Sequence, residues 1–351
     1  MSGPPSLSGT FLLVGHPNVG KSVLFHRLTG AYVNVSNYPG TTVEVTRASA
    51  RFDRESALLD TPGVLALPSR SDDERTTVRA LLNEPTRALL QVGDAKNLRR
   101  TLTLTALLAE LRIPLVLALN MHDEAAARGV TIDMAALAEA LGVPVEATVA
   151  TDGQGVGTLA HHLSAARVPR PILQYDKAID ADIERVAAAI SRHCPHPRVA
   201  ARGLAILYLG GDDEVEAWLR REAGTAYGEI EPLRRDALAR AGGDLPTLMA
   251  RERTEAADVL ATSVVSRSLK SSPLLSQRVG QAVVHPVWGV PILLAVLYLI
   301  YQFVGVFGAT TLVGLLEEDL FEGVLNPAVT HFIEALAPAP WFSELLVGQY
   351  G

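Results

Sequence analysis

The chain has 351 residues, 48% hydrophobic and 20% charged, with a formal net charge of −7. That balance allows a buried core in two or three domains, excludes wholesale disorder, and argues against a nucleic-acid binder, which would carry a basic face. A lone cysteine, Cys194, excludes a disulfide framework or a cysteine-based metal site and fits a reducing compartment.

Residues 1–9 are short, polar and rich in Pro and Gly, without the basic and apolar regions of a signal peptide. Residues 10–167 alternate apolar strand-like runs with helix-period patterns. Strands are predicted at Phe11–Val14, Val43–Phe52, Ala57–Leu59, Ala88–Val92, Leu115–Leu119 and Val143–Val149. Helices are predicted at Lys21–Thr29, Asn97–Leu111, Met134–Leu141 and Val156–Ser164. This is an α/β pattern, a doubly wound sheet of about six strands. Val168-Pro169-Arg170-Pro171 reads as a linker, and 168–275 as an all-helical domain with no strand signal.

The composition changes again in 276–318. No Asp, Glu, Lys or Arg occurs from Val279 to Leu316, and Val287–Val304 is long enough for a transmembrane helix. Lys270 and Arg278 precede it while Glu317, Glu318 and Asp319 follow, which places its N-terminal side in the cytoplasm. Residues 319–351, punctuated by Pro327, Pro338 and Pro340, read as an amphipathic or extracytoplasmic tail.

The chemistry is concentrated at the predicted strand ends. Gly15-His16-Pro17-Asn18-Val19-Gly20-Lys21-Ser22 follows a strand and opens a helix, the context of a phosphate-binding loop. Its glycines let backbone N–H groups converge on phosphate, Lys21 reaches the β- and γ-phosphates, and Ser22 ligates Mg²⁺. Asp60-Thr61-Pro62-Gly63 offers a carboxylate to the Mg²⁺ shell and the Gly63 N–H to the γ-phosphate. In Asn120-Met121-His122-Asp123, Asp123 can accept both N–H groups of a guanine edge, a pair that adenine lacks. Ala150-Thr151-Asp152-Gly153 presents backbone N–H toward guanine O6, with Ala150 and Thr151 in contact. In order, these segments specify GTP or GDP.

Between loop and Asp60, the polar stretch Asn34–Glu44 is placed as a switch segment. Thr42 is the expected Mg²⁺ ligand of the GTP state, with Thr41 as alternative. Val64 stands where many GTPases carry a water-orienting Gln and cannot polarise water. Either hydrolysis is slow without a partner or another group supplies the charge; Asn18 is the candidate, with a side-chain carbonyl that could hold a monovalent cation against the phosphates. The predicted catalytic set is therefore Asn18, Lys21, Thr42 and Gly63. Asp72, Asp73 and Glu74 read as a solvated helix start, and His193, Cys194 and His196 as a Pro-punctuated turn.

These segments resemble the ferrous-iron transport protein B (FeoB) family. The features shared are Gly15–Ser22, the Val33–Glu44 stretch with Asn37-Tyr38-Pro39-Gly40-Thr41-Thr42, Asp60–Val64, Ser71–Arg75, Asp94–Arg100, Asn120–Asp123 with Met at the usual Lys position, and His285–Gly289. The resemblance implies a cytosolic GTPase coupled through a helical domain to a Fe²⁺ permease in the bacterial cytoplasmic membrane. It also implies hydrolysis stimulated by K⁺ held at Asn18. Partners expected on that basis are Fe²⁺, the bilayer, a small cytosolic accessory protein or separate membrane subunit, and further copies of the chain. The family continues into a multi-helix permeation domain, whereas this chain stops at Gly351 after one clear span. A truncated form, a fragment and a split subunit are the three readings of that difference. The competing function is a membrane-tethered regulatory or RNA-handling GTPase of the Era or tRNA-modification type.

Overall fold

The computed structural model describes residues 9–29, 34–53, 55–194, 197–267, 280 and 282–336. Within Met1–Ser271, one of two structural units, the first strand β1 (Gly9–Gly15) is buried at every position because it runs mid-sheet. The sheet also contains β2 (Asn34–Asn37), β3 (Glu44–Ser49), β4 (Ser56–Asp60), β5 (Thr86–Asp94), β6 (Leu115–Asn120) and β8 (Val145–Ala147), in the order β2-β3-β4-β1-β5-β6-β8. From β4 to β8 neighbours are parallel, while β3 and β2 add antiparallel at one edge.

The edge strand β2 lies in the stretch expected as a switch loop. All four of its residues are exposed, so it pairs through backbone alone and carries no apolar alternation to announce it. A second small sheet joins β7 (Val130–Ile132) to β9 (Val265–Arg267). The latter strand interrupts a region expected to be wholly helical. It is three residues long, and its partner lies far away in sequence.

Alternation along β1 divides the core. Phe11 and Leu13 pack with Phe25 and Leu28 of α1 (Lys21–Thr29) and Leu159 and Leu163 of α6 (Val156–Ser164). Leu12 and Val14 face the opposite layer, built by α2 (Asp72–Asn83), α3 (Leu98–Glu110) and α5 (Met134–Leu141). That layer continues without a break into the helical region: α7 (Lys177–His193), α8 (Ala201–Leu209), α9 (Asp213–Ala223), α10 (Tyr227–Arg240) and α11 (Leu245–Val264). Ile183, Leu204, Tyr208 and Leu219 belong to the same apolar cluster as Leu12.

Close approach explains the fusion of the two layers. A Cβ on Gly203 would stand 2.7 Å from the Glu110 carbonyl oxygen, so only glycine lets α8 lie against the end of α3. Arg202 beside it reaches Glu110 at 3.1 Å and Asp180 at 2.6 Å. The helical part therefore shares its core with the sheet.

Among the described residues of the second unit, Ser272–Gly351, one helix, Gly289–Gly308, is 20 residues long and apolar enough to cross a membrane. None of its most apolar stretch is buried within the structure. Residues 1–8, Val33, His196, Lys270, Arg278 and 337–351 figure in the sequence reading but lie outside the described residues.

Candidate nucleotide site

The turn from β1 into α1 is built by steric exclusion. A Cβ on Gly15 would stand 2.2 Å from the Val92 carbonyl oxygen, and Gly20, at φ +88°, would place one 2.2 Å from Asn120 Nδ2. Asn18 adopts φ +62° without being glycine, a conformation costing about 1 kcal/mol or more and typical of functional turns. Its side chain is exposed.

At the mouth of this turn the Ser22 hydroxyl donates to Asp60 Oδ2 at 2.8 Å, and Lys21 Nζ stands 3.9 Å from Asp60 Oδ1. Asp60 Oδ1 is buried and has no hydrogen-bond partner. Desolvation raises the Asp60 carboxyl above its usual range, opposed by the Lys21 ammonium and the Ser22 hydroxyl. A hydroxyl and an unsatisfied carboxylate oxygen form the hard oxygen donor set that suits Mg²⁺. Thr61 Oγ1 donates to the Leu13 carbonyl at 2.6 Å, and the Val64 N–H donates to Gly15 at 3.0 Å. Gly63 abuts Pro17, whose Cγ lies 2.8 Å from where a Cβ would be. The Asp60–Gly63 segment is thus clamped on the phosphate loop.

At the end of β6 one side chain organises its surroundings. Asn120 Nδ2 donates to the Val19 carbonyl at 2.9 Å, while Asn120 Oδ1 accepts from the Ala150 N–H at 2.9 Å and from Thr148 Oγ1 at 3.2 Å. Three segments distant in sequence are stapled by this single buried amide. Asp123 lies exposed in the first turn of α4 (His122–Ala127), and Arg27 of α1 donates to the Thr151 carbonyl.

Thr42 takes another position. It is exposed and lines an open cavity of about 720 Å³ with Thr41, Arg75, Arg79 and Glu214. The Thr41 hydroxyl closes a local turn by donating to the Tyr38 carbonyl at 2.9 Å. The switch segment thus leans toward the helical region, and the structure does not join Thr42 to Ser22 and Asp60. His16 is also set apart: its ring is buried beside Leu65, Leu67 and Arg253, and desolvation, aided by Arg100, lowers its pKa to about 4. At neutral pH it carries no charge.

Some residues that organise the site depart from the sequence reading and others escape it: Glu74, expected at a solvated helix start, is buried. Glu74 accepts from the N–H groups of Leu65, Ala66, Arg70 and Ser71 at 3.1, 2.9, 2.8 and 3.1 Å. Burial by itself would raise its pKa, but the four donors together hold the carboxyl below its usual range. The spacing Ser71-x-x-Glu74 is a capping box, and that signal could have found it. Asp212 accepts from the Ser69 N–H at 2.7 Å, and Arg253 donates to the Leu67 carbonyl at 2.9 Å. Arg79 holds Glu214 at 2.5 and 2.7 Å and the Gly40 carbonyl at 2.6 Å. A local signal marks Asp212, the N-cap of α9, but none marks its reach to Ser69 or the bonds of Arg253 and Arg79. The three residues tie Gly40, in the segment expected as a switch, and Leu67 and Ser69, which follow Gly63, to the helical region.

A sheet with a phosphate loop, an Asp-x-x-Gly segment and an Asn-x-x-Asp segment at adjoining strand ends defines a P-loop domain of the GTPase class, here with a helical appendage. Residues 9–163 match the family model for ferrous iron transport protein B, and residues 175–266 match that for the FeoB cytosolic helical domain. The chain belongs to the FeoB family. It is 29% identical over 341 residues to the Fe(2+) transporter FeoB of Staphylococcus aureus (strain COL), covering 96% of this chain and 50% of that one. It is 30% identical over 351 residues to a Porphyromonas gingivalis fusion of Fe(2+) transport protein A with FeoB, covering 95% of this chain and 40% of the fusion. Among solved structures, a GDP-bound alanine-to-serine mutant of the S. thermophilus FeoB G domain superposes with a TM-score of 0.65 at 30% identity, covering 74% of this chain and all of that one. The chain spans half or less of the length of these curated relatives. Family membership favours the transporter-associated reading over an RNA-handling GTPase.

Proposed function

We propose that this chain binds and hydrolyses GTP as the cytosolic part of a membrane system importing Fe²⁺. The observation that carries the reading is the convergence of Ser22, Lys21 and Asp60 at the turn after β1, to which Asn120 is bonded through the Val19 carbonyl. Ser22 and Asp60 would hold Mg²⁺, which neutralises phosphate charge, with Thr42 joining them when the switch segment closes. Gly63 offers its N–H to the γ-phosphate, and Asp123, Ala150 and Thr151 read the base.

Val64 is fully buried and cannot orient water. The exposed Asn18, held in its left-handed turn, has a carbonyl oxygen suited to K⁺, and this supports potassium-stimulated hydrolysis. Gly289–Gly308 would anchor the chain in the cytoplasmic membrane with the nucleotide site on the cytosolic side. Permeation of Fe²⁺ would require further membrane helices, because one helix cannot form a polar path through hydrocarbon. The fusion relative makes a small accessory protein a natural partner.

The test uses the full chain in detergent. Fluorescent GDP should bind, and phosphate release from GTP should rise when KCl replaces NaCl; an absence of GDP binding would overturn the reading. Growth of an iron-uptake-deficient host, with and without a companion membrane subunit, tests the transport assignment. Failure in both arms would remove it.

A further inference from the structure

The base-recognition segment has Met121 in its second position, so it supplies no cation of its own. One arrives from elsewhere. Lys96, in the loop after β5, places its Nζ 3.1 Å from Met121 Sδ and 2.7 Å from Glu124 Oε2, with Asp94 Oδ1 at 3.8 Å. The Lys96 side chain is only 15% exposed, and its own backbone N–H is capped by Asp94 at 2.9 Å.

We infer that Lys96 is a positioning residue for base recognition: its ammonium pins Met121 and Glu124, the two side chains flanking His122 and Asp123, and so aims Asp123. The inference rests on the guanine reading above. Met121 sits at φ +59°, ψ +35°, a left-handed conformation unfavourable for an unbranched side chain and maintained only where its surroundings hold it. Its carbonyl is engaged by the Ala125 N–H at 3.1 Å, which fixes the start of α4. The side chain is held from the other direction by Lys96. Electrostatics points the same way. Asp123 must be ionised to accept two N–H groups, yet Glu124 adjoins it in sequence and Asp94 borders the same lysine. An ammonium bonded to Glu124 offsets that repulsion, and its partial burial reduces screening.

The experiment measures release of fluorescent GDP, and the ratio of GDP to IDP affinity, in the full chain. IDP lacks the exocyclic amine that Asp123 would accept. Lys96→Met keeps the length and removes the charge; it should speed GDP release about tenfold and lower the GDP-to-IDP ratio comparably, about 1.4 kcal/mol in each case. Glu124→Gln removes the carboxylate that repels Asp123 and keeps an acceptor for Lys96, so it should change both readouts less than Lys96→Met and, combined with it, should recover part of the loss. Lys96→Arg should restore both readouts. A Lys96→Met protein that melts earlier but keeps the wild-type ratio would make the lysine merely structural and overturn the inference. If the wild-type chain binds no GDP, the guanine reading itself fails; if it binds GDP and the variants do not differ from it, only the role of Lys96 fails.

Discussion

Asn120 donates its side-chain amide to the carbonyl of Val19 at 2.9 Å, joining the Asn120–Asp123 segment to the phosphate loop from 101 positions away. The same side chain accepts from Ala150, so one residue fixes the β1–α1 turn and the segment after β8 relative to each other. Asn120→Ala would leave the Val19 carbonyl, the Ala150 N–H and the Thr148 hydroxyl without this partner. The expected cost is about 2–3 kcal/mol of stability. Urea unfolding of the variant reads this directly, and an unchanged midpoint would remove the staple from the account.

Asp123 tests base identity. Asp123→Asn replaces an acceptor with a group that also donates, so preference should pass from guanine toward xanthine nucleotides. Competition between GDP and XDP for the site measures the change. Unchanged GDP affinity would sink the assignment.

Asn18→Ala should abolish the difference between KCl and NaCl in phosphate release while leaving GDP affinity within about twofold, a change of less than 0.5 kcal/mol. Persistent potassium stimulation would exclude Asn18 as the cation ligand. The exposed position of its side chain makes a general loss of folding an unsuitable explanation.

Glu74 predicts a pH effect. Its folded pKa lies below the unfolded value, so its contribution is fully present above about pH 4.3 and declines as pH falls through the lower folded value. Glu74→Gln should therefore flatten the acid limb of the stability profile and cost about 1.5–3 kcal/mol near neutrality, since one carboxylate oxygen becomes an amide nitrogen that cannot accept from its two N–H groups and the other loses its charge. Chemical unfolding at pH 7 and across the acid range measures both. An acid limb identical to wild type would refute the linkage.

Legibility differed between levels of structure for physical reasons. β1, α1 and β6 are evident because buried parallel strands are apolar runs and each ends in a motif whose atoms come from adjacent residues. β2 is not, since an exposed edge strand has no apolar face. The shared core of sheet and helices is equally hidden. Ile183 and Leu12 each show apolar periodicity, but nothing in either segment names the other as its neighbour.

The amino-acid order was sufficient for the phosphate loop, the Asp60–Gly63 and Asn120–Asp123 segments, and the apolar span, because each is contiguous and its chemistry is written in neighbouring side chains. Tertiary structure decided the rest: the outward lean of Thr42, the four N–H donors on Glu74, the tethers from Asp212 and Arg253, and the lysine beside Met121. Those contacts unite residues from different elements, and burial sets their strength. Both are properties of the folded chain.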